Sequence, residues 1–248
     1  MDNADKALSI RSVDISYGAR AVIKELSLDV AEGECFGLIG LNGTGKTTLI
    51  KAILALRDHD KGDILVFGQA SKLSSGRRRL AYLPERFDPP WFLNGEEFLA
   101  FSLKLYGRVC DPDRVGEMAD KLALERGALK NRVQTYSKGM RQKLGLMATL
   151  LTECPLLVLD EPMSGLDPLA RACVKEALLE AKAAGSTVFL SSHILADMDE
   201  MCNRVGVLSN GCLVFTGTPE ALKKRGGDES VERAFLRIIG REFPAQAA

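Results

Sequence analysis

The sequence predicts an α/β fold, in which a mainly parallel sheet carries helices on its faces. Two unbroken apolar runs, LLVL at 156–159 and TVFL at 187–190, are typical of parallel strands covered on both sides. A glycine-rich loop follows a third apolar run at 34–39 and precedes a helical pattern. With 248 residues, 46% of them hydrophobic and 27% charged, the chain has the composition of one large globular domain or of a domain with an inserted subdomain.

The first third of the chain predicts short strands and one helix. Apolar residues alternate partly with polar ones between Leu8 and Val30, which is typical of half-exposed antiparallel strands. Further short strands are expected at Glu34–Ile39, Ile64–Phe67 and Leu80–Leu83. Apolar positions at helical spacing predict a helix over Lys46–Leu56, with one face formed by Leu49, Ile53 and Leu56.

Residues 86–152 change character and predict a helical insert. The segment ERFDPPWFLNGEEF is rich in turn-forming and aromatic residues. Asn94 and Glu97 fit the N-cap pair of a helix whose apolar face would be formed by Phe98, Phe101 and Leu105. A second helix is predicted from Ser137 to Leu151, with apolar residues at helical spacing, namely Met140, Leu144, Met147 and Leu151.

The α/β pattern resumes after the insert. A helix between the two apolar strands is predicted from Asp167 as N-cap and Pro168 at the first helical position, with Gly185 after its end. Late strands are expected at Val205–Leu208 and Leu213–Phe215, joined by a turn at Asn210-Gly211. Two short helices close the chain.

Charge and composition exclude several classes. The 33 basic and 33 acidic side chains cancel, so a nucleic-acid partner is not expected. No apolar run approaches the roughly 18 residues that span a bilayer, and the N-terminus lacks the pattern of a signal peptide. We therefore expect a cytoplasmic chain. The six cysteines form no C-x-x-C pair and the chain has two histidines, so a structural zinc site is not expected.

A phosphate loop is predicted at residues 40–47, which match G-x-x-x-x-G-K-[ST] between a predicted strand and a predicted helix. In such a loop the backbone N–H groups converge on a phosphate chain at the positive end of the helix dipole. Lys46 is expected to reach the β- and γ-phosphates of ATP, and the Thr47 hydroxyl to bind Mg²⁺. The predicted nucleotide-binding residues are Gly40, Asn42, Gly43, Thr44, Gly45, Lys46, Thr47 and Thr48.

Polar residues stand at the ends of two apolar strands, where open α/β sheets bind ligands. Asp160 suits the second shell of Mg²⁺, and Glu161 could orient or deprotonate an attacking water. His193 is expected to donate a hydrogen bond to the γ-phosphate. A helix-capping acidic pair and a structural histidine are the alternatives. Tyr17 could stack on adenine, or it is simply an exposed tyrosine at a strand end.

Together these residues resemble the nucleotide-binding subunit of an ABC transporter. Tyr-Ser-Lys-Gly-Met-Arg-Gln at 136–142 resembles the signature sequence of that family, and Ser-Gly-Leu-Asp at 164–167 resembles its D-loop. The resemblance implies a single ABC ATPase domain over 1–248. Its ATP-binding core, with an antiparallel β subdomain, would be formed by 1–85 and 153–248, and the inserted helical subdomain by 86–152.

The resemblance also implies that two subunits sandwich two ATP molecules, with Ser137 and Gly139 of one reaching the γ-phosphate held by the other. A homodimer is expected, attached to the inner face of the cell membrane through a multi-span permease subunit. Aromatic residues in the segment 85–92 suit contact with that partner; the alternative is that they pack the base of the helical insert. The three aromatic residues are Phe87, Trp91 and Phe92.

Two departures from the family pattern point to a subgroup. Tyr136, Lys138 and Met140 replace the first, third and fifth residues of the usual Leu-Ser-Gly-Gly-Gln, and Glu85 replaces the expected Q-loop glutamine. A carboxylate at Glu85 can still approach Mg²⁺. Both departures, and the closing helix at 229–240, resemble exporter ATPases that work with separate membrane subunits. The alternative functions are a soluble ABC-type ATPase acting in assembly or signalling, and an ATP-dependent scaffold.

Overall fold

The computed structural model describes residues 6–240, which form two sheets and the helices around them. Residues 1–5 and 241–248, included in the ranges predicted above, lie outside the described residues. The strands are β1 (Lys6–Tyr17), β2 (Arg20–Ala31), β3 (Cys35–Ile39), β4 (Lys61–Val66), β5 (Gln69–Ala70), β6 (Leu80–Leu83), β7 (Leu156–Asp160), β8 (Thr187–Ser192), β9 (Arg204–Ser209) and β10 (Cys212–Gly217).

The helices pack on both faces of the larger sheet, and three of them lie in the middle of the sequence. They are α1 (Lys46–Ile53), α2 (Ser74–Arg77), α3 (Gly95–Leu105), α4 (Pro112–Lys121), α5 (Lys138–Leu150), α6 (Pro168–Ala183), α7 (Leu195–Met201), α8 (Pro219–Gly226) and α9 (Val231–Ile238). Short 3-10 helices lie at Arg126–Lys130 and Val133–Thr135. Between residues 6 and 240, no helix combines the length and the apolar character that crossing a bilayer requires.

The two sheets have different pairing. A four-stranded antiparallel sheet has the order β2-β1-β4-β5, which confirms the antiparallel strands predicted near the N-terminus. A six-stranded sheet has the order β10-β9-β3-β8-β7-β6, and its neighbours are parallel except for β10 and β9. The order places β8 between β3 and β7, so residues that follow these three strands meet at one edge of the sheet.

Alternate residues of the central strands enter two separate apolar clusters. On one face, Phe36 of β3 and Phe189 of β8 stack with ring centres 5.8 Å apart, in a cluster shared with α1 and the antiparallel sheet. On the other face, Leu157 and Leu159 of β7 pack with residues from the helices of the insert. Both faces are therefore covered, as the apolar runs predict, and α1 is clamped between the two sheets.

Helices α3, α4 and α5 all lie between residues 95 and 150, and the limits 86–152 of a helical subdomain stay a prediction. The predicted start of α3 is confirmed. The Asn94 side chain accepts a hydrogen bond from the Glu97 backbone at 2.8 Å, and the Glu97 carboxylate accepts one from the Asn94 N–H at 2.9 Å. This reciprocal pair satisfies two N–H groups that a helix start leaves unpaired.

Two predicted helix faces are wrong in part. Phe98 of α3 is buried as predicted, but Phe101 and Leu105 are exposed, because the helix turns Gly95, Leu99 and Leu103 toward the core with Phe98. Leu56 is also exposed. Helix α1 ends at Ile53, and the left-handed φ of 52° at Ala55 turns the chain away before Leu56 can join the apolar face of the helix. The apolar face predicted for α5 is buried at Leu144 and Met147 and at the C-cap residue Leu151, whereas Met140 is half-buried.

The capping pair at α3 gives a prediction for stability. We expect Asn94→Ala to lower the free energy of unfolding by about 1 kcal/mol, because the Glu97 backbone N–H loses its acceptor. Urea unfolding followed by circular dichroism measures the change. Asn94→Asp, which keeps a side-chain oxygen at the cap, is the matched control and should stay close to the wild type. Equal stability of Asn94→Ala and the wild type would contradict this role of the cap.

Candidate nucleotide-binding site

The glycine-rich loop connects β3 to the first turn of α1, the context that a phosphate loop requires. Gly45 has a φ of 110°, and a Cβ there would stand 2.8 Å from Ile23 Cδ1, so both the backbone angle and the space require glycine. The Thr44 hydroxyl donates to the Leu41 carbonyl at 2.8 Å and closes the loop on itself. The loop therefore presents backbone N–H groups at the start of α1.

Lys46 points back under the loop and is almost fully buried. Its Nζ donates to the Gly40 carbonyl at 2.7 Å and lies 3.6 Å from Glu161 Oε1. The ammonium group thus has one carbonyl and one carboxylate as partners at the base of the loop. Phosphate oxygens also accept hydrogen bonds from an ammonium group, so Lys46 can replace its carbonyl and carboxylate partners by phosphate oxygens.

Strand β7 ends at Asp160 and Glu161 follows it, and Ser191 of β8 binds both residues. The Ser191 hydroxyl donates to Asp160 Oδ1 at 2.5 Å and accepts from the Glu161 backbone N–H at 3.1 Å. Glu161 has a left-handed φ of 51°, which turns its side chain out of the strand direction. Burial, with Asp160 and Glu85 nearby, raises the pKa of Tyr82 to about 12, so that this phenol stays neutral.

His193, which follows β8, contacts the same glutamate. Its Nδ1 lies 2.7 Å from Glu161 Oε2, and its backbone N–H donates to that oxygen at 3.2 Å. The ring is about half exposed, whereas the Glu161 side chain is buried. Glu161 is therefore held between the ammonium of Lys46 and the imidazole of His193.

A cleft of about 420 Å³ opens over the loop, a volume within the range of small-molecule sites. It brings together most of the residues predicted for nucleotide and Mg²⁺. The lining residues are Tyr17, Arg20, Val22, Leu41, Asn42, Gly43, Gly45, Lys46, Thr47, Thr48, Glu85, Asp160 and Glu161. Gly40 and Thr44 make hydrogen bonds within the loop, and His193 contacts the Glu161 side chain that lines the cleft.

The donor groups in the cleft fit Mg²⁺. Asp160 Oδ2 is buried and has no hydrogen-bond partner among the residues that the structure describes, and Thr47 and Glu85 line the same cleft. Oxygen ligands of this kind suit Mg²⁺. Within residues 6–240 no three His, Cys, Asp or Glu side chains gather as a metal site. The oxygen groups of Thr47, Asp160 and Glu85 suit Mg²⁺, which proteins commonly hold by one or two carboxylates together with phosphate oxygens.

Ser137 and Gly139 do not line this cleft. Ser137 is the N-cap of α5, as predicted, and its hydroxyl accepts from the Met140 N–H at 3.2 Å. Tyr136 is buried, and its hydroxyl donates to the Ala128 carbonyl at 2.7 Å, which anchors the segment inside the helical insert. The start of α5 is therefore presented on the surface, apart from the phosphate loop of its own chain.

The aromatic residues of the segment 85–92 were expected either to contact a partner or to pack the base of the helical insert, and the structure divides them between these two alternatives. Phe87 packs edge-on against Phe98 with ring centres 5.5 Å apart, and it also lies close to Gly145 of α5. It therefore packs the base of the helical insert. Trp91 and Phe92 contact each other edge-on and are 66% and 52% exposed, so these two rings form a free aromatic surface.

Sequence reasoning missed several residues of the site. Arg20, Val22 and Leu41 line the cleft, and Ser191 positions the acidic pair. Ser191 could have been found, because it follows the apolar run TVFL at the same sheet edge as Asp160. Arg20 and Val22 lie on the other sheet, and only the tertiary packing brings them to the loop.

A phosphate loop between a parallel strand and a helix, with an acidic pair at the end of a nearby strand, defines a P-loop nucleotide-binding protein. The family model for ABC transporters matches residues 23–164, more than half of the chain. A solved structure described as the ATP-binding subunit of an ABC transporter superposes with a TM-score of 0.86 at 33% identity, covering 94% of this chain and 99% of the other.

Curated relatives agree with this match. An uncharacterized ABC transporter ATP-binding protein of Nostoc is 40% identical over 81% of this chain and 61% of its own length. The Nod factor export ATP-binding protein I of Bradyrhizobium diazoefficiens is 35% identical over 97% of this chain and 78% of its own length. The chain thus spans about three fifths of the first relative and more of the second. It belongs to the ABC transporter family, with the fold of the ATP-binding subunits.

The contact between Ser191 and Asp160 gives a second prediction. We expect Ser191→Ala to lower the free energy of unfolding by about 2 kcal/mol, because a buried carboxylate loses its hydrogen-bond donor. Urea unfolding measures the loss. Ser192→Ala is the matched control: Ser192 is also buried on β8, but its hydroxyl accepts from the backbone of Ile194 and binds neither acidic side chain. Equal losses in the two variants would contradict a special role for Ser191.

Proposed function

We propose that the chain is the ATP-hydrolysing subunit of an ABC exporter and drives transport through a separate membrane subunit. One observation carries the ATPase part: the phosphate loop, Lys46 and a glutamate bound to His193 meet in a single cleft. The exporter part is supported by the departures at Glu85 and in the signature, and by the relative whose name refers to Nod factor export.

In the proposed reaction, the phosphates of ATP lie along the backbone N–H groups of the loop, and Lys46 turns from Glu161 to the β- and γ-phosphates. Glu161 is then free to accept a proton from a water molecule in line with the γ-phosphate. His193, released from Glu161, donates a hydrogen bond to the γ-phosphate. The pairing of β7 with β8 supports this assignment, because it brings Glu161 and His193 to the same edge of the sheet.

Thr47, Asp160 and Glu85 would hold Mg²⁺ beside the phosphates. When bound, the ion would supply positive charge next to the phosphate oxygens. The buried, unpartnered Oδ2 of Asp160 supports this assignment. Tyr17, which is about half exposed and lines the same cleft, would stack on the adenine ring.

A second copy of the chain would complete each site. Ser137 is exposed and Gly139 half-buried at the start of α5, where the helix dipole attracts an anion, yet neither lines the cleft of its own chain. A head-to-tail dimer would place them against the γ-phosphate held by the partner. Hydrolysis would remove that bridge, and the two subunits would part.

The exposed rings of Trp91 and Phe92 would contact the permease, which would hold the chain at the inner face of the membrane. Aromatic residues are enriched at the centres of protein interfaces. The other candidate function is an ABC-type ATPase that acts in assembly or signalling without a permease. The pair of exposed rings favours the first function, since it provides a partner surface apart from the nucleotide site.

The role of Glu161 gives a third prediction. We expect Glu161→Gln to lower ATP hydrolysis at least about 100-fold, because an amide cannot accept the proton of the attacking water. ATP binding should persist, and the variant should elute as an ATP-bound dimer in size-exclusion chromatography.

Two further variants complete the experiment. Lys46→Ala should lose both ATP binding and hydrolysis. Glu176→Gln changes an exposed glutamate of α6 in the same way and should behave as the wild type. Normal turnover by Glu161→Gln would remove this residue from the proposed mechanism.

The aromatic pair gives a fourth prediction. We expect the double variant Trp91→Ser and Phe92→Ser to stop the chain from co-purifying with a multi-span membrane protein in detergent extracts. Its own ATP binding should not change, because neither ring lines the cleft. Leu73→Ser, which changes another exposed apolar residue, is the control. Undiminished co-purification of the double variant would exclude these rings as the contact.

A further inference from the structure

The Tyr17 ring has a cation against one of its faces. The guanidinium carbon of Arg57 lies 3.5 Å from the centre of the ring, and Arg57 Nη2 donates to the carbonyl of the preceding residue, Ser16. Arg57 Nε is buried and has no acceptor within the described part of the chain, which fits a guanidinium lying flat on an aromatic face. The contact is therefore a cation–π stack and not an ion pair.

Arg57 is itself held in place from two sides. It follows the end of α1, where its backbone N–H donates to the Lys51 carbonyl at 3.2 Å. Three residues later, the Asp60 N–H donates to the Asp14 carbonyl of β1 at 2.7 Å. The segment after α1 is thus fastened to the strand that carries Tyr17, and the guanidinium has a defined position.

The other face of the Tyr17 ring remains open. Tyr17 lines the cleft together with the phosphate loop and is 49% exposed, whereas Arg57 does not line the cleft. The guanidinium therefore covers the face that is turned away from the cleft. A flat, open aromatic face at a fixed place beside a phosphate site suits the stacking of a nucleobase.

We propose that Arg57 is a positioning residue for the nucleobase, which it does not touch. The inference rests on the proposed function, since it requires ATP in this cleft. Tyr17 stands at the tip of the β1–β2 hairpin, where an exposed ring would otherwise sample several rotamers. By holding the ring in one orientation, Arg57 lowers the entropy that base binding must remove.

Helix α1 then sets the distance between the two ends of the nucleotide. Its first turn faces the phosphates, and the residue that braces the base platform lies four positions beyond its end. Eight residues of helix span about 12 Å. Because α1 is clamped between the sheets, the phosphate site and the base site keep a constant separation.

The test measures by isothermal titration how tightly the full chain binds ATP, which carries a nucleobase, and inorganic tripolyphosphate, which does not. We expect Arg57→Ala to weaken ATP binding about fivefold, or about 1 kcal/mol at 1.4 kcal/mol per tenfold. Tripolyphosphate binding should not change. In a Tyr17→Ala background, Arg57→Ala should have no further effect on ATP. Arg57→Lys should lose part of the affinity, and Arg233→Ala, on α9, is the control.

The inference would be overturned if Arg57→Ala also weakened tripolyphosphate binding fivefold, or if it weakened ATP binding equally in the Tyr17→Ala background. Either result would show that Arg57 supports the loop after α1. If Tyr17→Ala bound ATP as tightly as the wild type, the base platform would be excluded while the proposed ATPase function stood. If the wild-type chain bound tripolyphosphate and not ATP, the proposed function itself would fall, and the inference with it.

Discussion

The buried ammonium group of Lys46 is the interaction on which the site depends. A buried charge is costly unless protein atoms pair with it, and here the partners are the Gly40 carbonyl after β3 and the Glu161 carboxylate after β7. That carboxylate also binds His193, which follows β8. A single positive charge thus organises the ends of three adjacent parallel strands at one point. The phosphates of a nucleotide can replace Gly40 and Glu161 as partners of this ammonium group.

This arrangement of charges is possible because apolar packing fixes the positions of the strands and the helix that carry it. The parallel strands are covered on both faces, and α1 lies between the two sheets, so the loop that precedes this helix has little freedom. Gly45 approaches Ile23 of the antiparallel sheet too closely for any side chain. The smaller sheet therefore contributes to the site in two ways: it supports the back of the loop, and it carries the Tyr17 ring to the edge of the cleft.

Local patterns predicted much of this site, and contacts between distant segments account for the rest. The phosphate loop, the acidic pair and the caps at Asn94 and Ser137 are readable because each depends on neighbours within a few residues. The prediction that Phe101 lies on the buried face of its helix was wrong, because spacing alone does not tell which side of a helix meets the core. Arg57 gave no signal in the sequence, since its contact with Tyr17 joins segments 40 positions apart through tertiary packing. The assigned roles of the site residues stay predictions.

The left-handed backbone of Glu161 sets backbone strain against charge pairing at this position. An L-residue with a side chain pays about 1 kcal/mol for such a φ, whereas glycine adopts it freely. Glycine or asparagine after Asp160 would relieve this strain but would leave the buried ammonium group of Lys46 without its carboxylate partner. The Glu161 carboxylate offsets this strain through its contacts with Lys46 and His193. A variant that removes the carboxylate therefore exchanges backbone strain at residue 161 for an unpaired buried charge at Lys46.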